Sequence, residues 1–179
     1  MQRDERDLVQ RLQRGEDAAF AQLVDEFGDE LYGLASSMLR DRTAAADVVQ
    51  ETFLGAFRGI GKFRGDATLR TWLTGICIRQ VYKSTRRRRE TAAVADWESL
   101  ASKNSGSDGV AARLDVQVML EALAPEHRDV LVLRELQGLS YDEIAAALEL
   151  PRGTVESRLF RARKRLQELF GGERTRREG

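Results

Sequence analysis

Cysteine, histidine and proline are scarce in this chain of 179 residues, and each shortage excludes a class of protein. The single cysteine, Cys77, has no partner for an intramolecular disulfide, and a single histidine, His127, argues against a zinc site and against histidine-dependent hydrolase chemistry. Only Pro125 and Pro151 interrupt the chain, so long helices are permitted nearly everywhere. We therefore expect a helical protein with no catalytic residues, no metal and no cofactor.

Long apolar runs are missing as well. No stretch approaches the ~18 residues that a membrane-spanning helix requires, and the charged N-terminal segment lacks the apolar core of a signal peptide. Hydrophobic residues make up 42% of the chain and charged residues 32%, which is typical of a globular protein with a highly charged surface. The sequence predicts a cytoplasmic all-α protein that is not an enzyme.

The net charge is zero because acidic and basic segments alternate and cancel. Residues 1–59 carry 7 basic and 12 acidic side chains, whereas residues 60–89 carry 9 basic and 1 acidic. Residues 90–149 carry 4 basic and 12 acidic side chains, whereas residues 150–179 carry 9 basic and 4 acidic. Two basic blocks separated by acidic ones favour two anion-binding surfaces, although solvated helix faces would produce the same pattern.

The first half of the chain is predicted to form one small domain of four helices over residues 5–89. Apolar residues recur at spacings of three and four in helices that begin near Asp17, Ala44 and Thr68. The third helix is expected to bury one row, Val48, Val49, Thr52, Phe53, Ala56 and Phe57. Residues 59–66 contain three glycines and are predicted to form a loop. The fourth helix should place Leu69, Trp72, Leu73 and Ile76 on one face and Arg79, Lys83, Arg86 and Arg87 on the other.

The second half begins with a change of composition. Residues 90–112 are rich in Ala, Ser, Gly, Asp and Asn, which cannot bury enough apolar surface to fold, and are predicted to form a flexible linker. Residues 113–170 are predicted to form a second domain of four helices, and residues 171–179 a polar tail. Ser140 and Glu143 have the spacing of a capping box at the start of one of these helices.

The segment from Leu139 to Leu166 has the pattern of a helix-turn-helix. A capped short helix is followed by a tight turn with Pro151 and Gly153 and then by a long basic helix from about Thr154. Its core face is predicted to consist of Val155, Leu159, Ala162 and Leu166, with the charged residues on the other side. Residues near the start of such a helix read base edges and later basic residues hold phosphates. A helical hairpin with a solvated basic face is the alternative interpretation.

Two stretches of the chain resemble bacterial RNA polymerase sigma factors of the sigma-70 family. The C-terminal DNA-binding domain of these factors is similar to the stretch LQGLSYDEIAAALELPRGTVESRLFRARKRLQELF. Their N-terminal domain is similar to DVVQETFLGAF, followed by FRGDATLRTWLTGI and a basic helix. This order, with a short linker between, resembles the extracytoplasmic-function, or group IV, sigma factors. The resemblance covers roughly residues 5–170 and implies an all-α fold with a sigma-2 and a sigma-4 domain.

The resemblance also implies a function and three binding surfaces. The protein would bind core RNA polymerase, recognise double-stranded promoter DNA at its −35 and −10 elements and melt the −10 region, while the polymerase performs the chemistry. Asp47, Gln50 and Glu51 match the acidic helix that docks on the clamp helices of the largest polymerase subunit. The implied −10 surface comprises Lys62, Phe63, Arg64, Arg79, Lys83, Arg86 and Arg87. The implied −35 surface comprises Arg152, Glu156, Ser157, Arg158, Phe160, Arg161 and Lys164. An anti-sigma factor is the further partner that the resemblance implies, with no membrane insertion and no small-molecule substrate.

Three residues depart from the usual pattern of the family. Arg79 and Lys83 stand where Asn and Asp are usual, and Glu156 stands where a basic residue is common. A glutamate there would repel phosphate and can accept a hydrogen bond from a cytosine amine. The alternative function is a classical helix-turn-helix regulator, although the sequence shows no dimerising element. A helical adaptor that binds only protein is disfavoured by the two basic blocks, and a nucleotidyl-processing enzyme by the lack of a glycine-rich phosphate loop.

Overall fold

The computed structural model describes residues 3–39, 41–94, 116 and 118–170, and within these ranges the chain forms helices without strands. The helices are α1 (Arg3–Gln13), α2 (Asp17–Met38), α3 (Arg42–Gly59), α4 (Leu69–Val94), α5 (Pro125–Leu131), α6 (Tyr141–Leu148) and α7 (Arg152–Phe170). A 3-10 turn (Ile60–Lys62) follows α3, a π-helical turn (Val132–Leu136) extends α5, and residues 118–121 are helical. The predicted all-α class is confirmed. In the described part of the chain, no helix has both the length and the apolar character needed to cross a membrane.

Helices α1 to α4 pack around one apolar core, with α4 lying against both α2 and α3. The largest side chains buried there are Leu12, Leu23, Leu34, Leu69, Leu73 and Ile78. Cys77 is completely buried on α4, and burial raises the pKa of its thiol to about 11. The side chain therefore stays protonated at neutral pH and acts as a small apolar filler, as its position next to Ile76 predicts.

Helix α3 begins two residues before the predicted start at Ala44. The reason is an N-terminal cap: Oδ1 of Asp41 accepts hydrogen bonds from the backbone N–H groups of Thr43 and Ala44, at 2.8 and 3.2 Å. These backbone hydrogen bonds, together with one from Arg88, lower the pKa of Asp41. The cap sets the register of the helix that carries the acidic residues predicted to bind the polymerase.

The segments after α3 and after α4 differ from the prediction. Ile60–Lys62 form a 3-10 turn with Ile60 buried, where a loop is predicted, because the apolar side chain of Ile60 completes the core. Helix α4 continues to Val94, five residues into the predicted linker over residues 90–112. Residues 95–112 of that linker, and the predicted tail at 171–179, lie outside the described residues.

Two large apolar side chains of the described helices are exposed. Phe57 on α3, which is predicted to be buried, is 57% exposed and packs its ring on Phe20, with 4.7 Å between the ring centroids, at the edge of the bundle. Leu136 is 52% exposed because it ends the π-helical turn, whose wider winding shifts the register that 3.6 residues per turn gives. The prediction for Phe57 was wrong because the spacing of apolar residues does not show where the bundle ends.

Helices α5, α6 and α7 pack together, and their buried side chains are continuous with the core of the first four helices. The predicted capping box is present at the start of α6. The Ser140 hydroxyl accepts from the backbone N–H of Glu143 at 3.2 Å, and the Glu143 carboxylate accepts from the backbone N–H of Ser140 at 2.8 Å. The hydrogen bonds from the Ser140 side chain and backbone lower the pKa of Glu143. Helix α7 begins at Arg152, two residues before the predicted start, and Glu149 makes the preceding turn with a left-handed φ of 55°.

The two helical units touch along α4 and α6. At Gly75 on α4, a Cβ atom would lie 2.8 Å from the carbonyl oxygen of Ala147 on α6, which is closer than real Cβ atoms approach backbone. The contact is therefore possible because residue 75 is glycine. No feature of the sequence pattern singles out this glycine.

Polar contacts reinforce the junction between the units. Nη1 of Arg79 donates to Oε1 of Glu149 at 3.0 Å, and the hydroxyl of Tyr82 donates to the carboxylate of Asp129. Asp129 on α5 is only 3% exposed, and burial raises its pKa to about 7 even though the charge of Arg158 acts in the opposite direction. A buried carboxyl thus lies at the boundary of the two units.

Candidate functional site

The outer face of α7 carries the predicted −35 residues. Val155, Leu159 and Ala162 are buried and Leu166 is half-buried, as predicted, which turns the opposite side of the helix to solvent. The exposed residues there are Glu156, Ser157, Phe160, Arg161 and Lys164. Arg158 is half-buried, and its charge acts on Asp129 beneath the helix. The structure therefore groups five of the predicted residues on one open face and sets Arg158 apart from them.

Arg152, the first residue of α7, is exposed as well and is held between two carboxylates. Nη1 of Arg152 donates to both carboxylate oxygens of Asp142, at 3.0 and 2.9 Å, and its Nε donates to Oε1 of Glu156 at 3.0 Å. These hydrogen bonds, the one to Glu156 most and those to Asp142 next, raise the pKa of Arg152. Asp142 lies in the first turn of α6. The sequence does not identify it as a partner of Arg152, because a residue ten positions away gives no local signal.

Further along α7, aromatic and basic side chains line a shallow depression. Phe160 is 69% exposed there, beside Tyr141 and Lys164. Arg163 donates to Oε1 of Glu135 at 2.7 Å, which ties α7 to the π-helical turn. An exposed aromatic ring among cations can contact thymine methyl groups or stack on bases, as DNA-facing surfaces do.

The segment after α3 carries the next group of predicted residues. Lys62 and Arg64 are exposed, whereas Phe63 is half-buried with its ring 5.0 Å from the ring of Trp72. Gln13, which no sequence motif identifies, donates from Nε2 to the carbonyl oxygens of Ile60 and Phe63, at 3.2 and 3.1 Å. These contacts hold the segment against α1 and α4 and present its basic side chains to solvent.

The predicted basic row on α4 is exposed along its length, at Arg79, Lys83, Arg86 and Arg87. Its first member, Arg79, forms the ion pair with Glu149 of the second unit. Arg88, just beyond the row, pairs with the Asp41 cap of α3. The row therefore starts at the junction between the units and continues away from it.

The outer face of α3 combines acidic and apolar side chains. Asp47, Gln50 and Glu51 are exposed as predicted. Leu54, 45% exposed, and Phe57 follow them on the same helix at spacings of three and four. The spacing of Leu54 from Gln50 and Glu51 could have identified it, because apolar residues three and four positions from a charged site share its face. We define these five residues as the α3 surface.

Among the described residues, no group of three or more His, Cys, Asp or Glu side chains is arranged to hold a metal ion. The charged clusters that are present consist of carboxylates paired with guanidinium groups, as at Arg152 and Arg79.

Two family models match the chain. Residues 23–91 match Sigma-70 region 2, and residues 113–166 match Sigma-70, region 4. The first model includes the α3 surface and most of α4, and the second includes α5, α6 and most of α7.

Curated relatives and solved structures match nearly the full length. The chain is 33% identical to the RNA polymerase sigma-H factor of Pseudomonas aeruginosa, over 94% of this chain and 95% of that protein. It is 35% identical to the ECF RNA polymerase sigma-E factor of Escherichia coli, over 88% of this chain and 89% of that protein. The structure is similar to CnrH in complex with the cytosolic domain of CnrY, with a TM-score of 0.73 and 31% identity over 94% of this chain and 97% of that one. It is also similar to the sigma factor RpoE in complex with the anti-sigma factor NepR from Bartonella quintana. For that structure the TM-score is 0.68, with 30% identity over 85% of this chain and 96% of that one.

Proposed function

Because the chain belongs to the sigma-70 family, in its extracytoplasmic-function group, we propose that it uses three surfaces to bring core RNA polymerase to promoters. It is a sigma factor that binds core polymerase and directs transcription initiation. The observation that carries this conclusion is the match to both sigma regions, in order, within one chain. A classical helix-turn-helix regulator would not contain the region that matches residues 23–91.

The α3 surface is our candidate for the polymerase clamp helices. Asp47, Gln50 and Glu51 supply negative charge and hydrogen-bonding groups, and the neighbouring Leu54 and Phe57 supply exposed apolar area. Charge complementarity speeds and orients association, and burial of the apolar residues stabilises the complex. Two large apolar side chains exposed beside a charged cluster are typical of a protein-docking surface.

Replacing Gln50 with Ala and Glu51 with Lys is expected to weaken binding to core polymerase by at least tenfold, about 1.4 kcal/mol, because a cation replaces an anion in the interface. Affinity can be measured by fluorescence anisotropy of labelled protein with purified core enzyme. Glu26→Lys, which makes the same change of charge at an exposed site on α2, is the matched control. Equal affinity of the double variant and the control would contradict the assignment.

We assign −10 recognition to the segment after α3 and to the basic row of α4. Lys62 and Arg64 are exposed next to a loop that lies close to Trp72, and the row offers cations at helical spacing for the phosphates of a separated strand. The Phe63 ring packs against Trp72 and would have to leave it before stacking on a base. We therefore propose that the main role of Phe63 is to position the loop. The ion pair between Arg79 and Glu149 must open before Arg79 contacts DNA.

The exposed face of α7 is our candidate for −35 recognition, with the early residues reading bases and the later ones holding phosphates. Arg161→Ala is expected to cost about 1–3 kcal/mol on the cognate element and to reduce discrimination between variants of it. Lys164→Ala is expected to weaken binding to all DNA sequences equally. It should also lower by about one unit the slope of the logarithm of the binding constant against the logarithm of salt concentration. Competition binding of holoenzyme to promoter variants at several salt concentrations tests both. Equal effects of the two substitutions on discrimination would show that our register for this face is wrong.

Further proposals concern the chain as a whole. We propose a sigma-2 domain near residues 5–89, extended by the end of α4, and a sigma-4 domain near residues 113–170. Since the factors of this family act on RNA polymerase, we place the protein in the cytoplasm and assign the chemistry to the polymerase rather than to this chain. An anti-sigma factor is a further partner, because the similar RpoE was solved with one.

In vitro transcription with core polymerase tests the function directly. Adding the protein to core enzyme is expected to produce initiation at discrete sites on a pool of genomic fragments. If no fragment gives promoter-specific transcripts, the sigma function is excluded. Purification from unstressed native cells should in turn yield a stable small partner, and its absence would contradict the anti-sigma proposal.

A further inference from the structure

The start of α7 places an arginine and a glutamate side by side. Arg152 is the first residue of the helix, and Glu156 lies four positions later. Residues at this spacing share a face and are separated by about 6 Å along the axis. Their side chains form an ion pair at the exposed start of α7.

The guanidinium of Arg152 is oriented by contacts from two helices. Asp142 on α6 accepts from Nη1 with both oxygens, and Glu156 on α7 accepts from Nε. A planar guanidinium that is hydrogen-bonded to carboxylates on two sides has little rotational freedom. Its remaining donors are the two N–H groups on Nη2. The side chain is 57% exposed, so those donors can reach an acceptor outside the protein.

We propose that Arg152 determines specificity at one position of the −35 element by donating from Nη2 to a guanine O6 or N7 acceptor in the major groove. Asp142 and Glu156 are positioning residues that hold its guanidinium for this contact. The inference rests on the proposed function and goes beyond it, because it names the reading group, the two residues that aim it and the base that it reads.

The charge of the cluster separates base reading from phosphate binding. One guanidinium between two carboxylates gives a local charge of −1, which reduces attraction to DNA phosphates. A guanine edge offers hydrogen-bond acceptors without adding a full negative charge near the carboxylates. The cluster therefore penalises non-specific DNA while it retains one directional contact, which favours specificity over affinity.

The test uses holoenzyme assembled from core polymerase and the full chain, and a promoter library randomised in the −35 element. Arg152→Ala is expected to lower the preference for guanine at one position by roughly 5- to 150-fold. Asp142→Asn should reduce the preference at the same position and increase binding to non-cognate DNA. Arg152→Lys keeps the charge but lacks the planar guanidinium that bonds both carboxylates. The variant should therefore retain the overall affinity for promoter DNA and lose the preference for guanine.

Matched controls come from a second ion pair on α7. Arg165 lies 3.7 Å from Glu168, and both are exposed. Arg165→Ala and Glu168→Gln remove the same charges as Arg152→Ala and Asp142→Asn, and are expected to leave the base preferences unchanged.

The outcomes distinguish this proposal from the proposed function. If wild-type holoenzyme selects no −35 sequence at all, the function itself fails. If the wild type selects a consensus and Arg152→Lys returns the same one, Arg152 only joins α6 to α7 and the proposal is overturned. A loss of preference in Arg152→Lys without a matching loss in Asp142→Asn would overturn the positioning role of Asp142.

Discussion

Replacing Asp129 with Asn is expected to remove a fall in stability of about 4 kcal/mol between pH 4 and pH 8. Burial raises the pKa of this carboxyl from its ordinary 3.8 to about 7, with the opposing charge of Arg158 reducing the rise. Between pH 3.8 and about pH 7, Asp129 in the folded protein keeps a proton that it has released in the unfolded chain. The stability that Asp129 contributes is therefore fully present below pH 4, is lost as the pH rises, and stops changing above about pH 7, where both states are ionised.

Urea unfolding at a series of pH values, followed by circular dichroism, measures this difference. The Asp129→Asn curve should be flatter than the wild-type curve over that range, whatever the constant offset between the two proteins. Glu126→Gln removes an exposed carboxylate from the same helix and is the matched control for the loss of one negative charge. Parallel curves for the wild type and Asp129→Asn would show that Asp129 is not protonated in the folded protein. The Tyr82 hydroxyl donates to this carboxylate from the other unit, so Tyr82→Phe should alter the profile too.

Gly75→Ala is expected to separate the two helical units. Its Cβ would lie 2.8 Å from the carbonyl oxygen of Ala147, and because that oxygen belongs to the backbone, α4 and α6 must move apart. The ion pair between Arg79 and Glu149 lies beside this contact and should open with it. The expected result is a longer distance between the units and a basic row released at Arg79.

Distances between spin labels on cysteines introduced at Asp25 and Glu168, on α2 and α7, measure the separation. The native Cys77 is fully buried and its pKa is raised, so it should not react with the label. Gly33→Ala on α2 is the matched control, because no atom lies within 4 Å of its added Cβ. That substitution should leave the distance unchanged and stabilise the helix by about 1 kcal/mol. An unchanged distance in Gly75→Ala would mean that the contact between the units does not hold in solution.

Local rules were sufficient for the features of the fold that depend on neighbours in the chain. The apolar spacing of α2 predicts a start near Asp17, where it begins, and the spacing of Ser140 and Glu143 predicts the capping box that is present. The buried face of α7 follows from its periodicity in the same way. Each of these features is decided by residues at most four positions apart, so the sequence carries the whole signal.

Family membership was likewise accessible from the sequence, because two motifs in a fixed order are specific where each alone is not. The resemblance of both halves to sigma factors is confirmed by the matches to region 2 and region 4. The roles of individual site residues stay predictions. Asp47, Gln50 and Glu51 are placed together on one exposed face, which is the condition that their predicted role requires.

By itself, then, the sequence determined the helical class, the capping box of α6, the buried face of α7 and the family. Only the tertiary structure decided that Gly75 meets Ala147, that Asp129 is buried against Tyr82, and that Asp142 reaches Arg152. The physical reason is distance along the chain. Periodicity and capping act within one or two helical turns, whereas a buried charge or a close backbone contact exists only after separate helices have packed, and its partner has no fixed spacing that a sequence pattern can reveal.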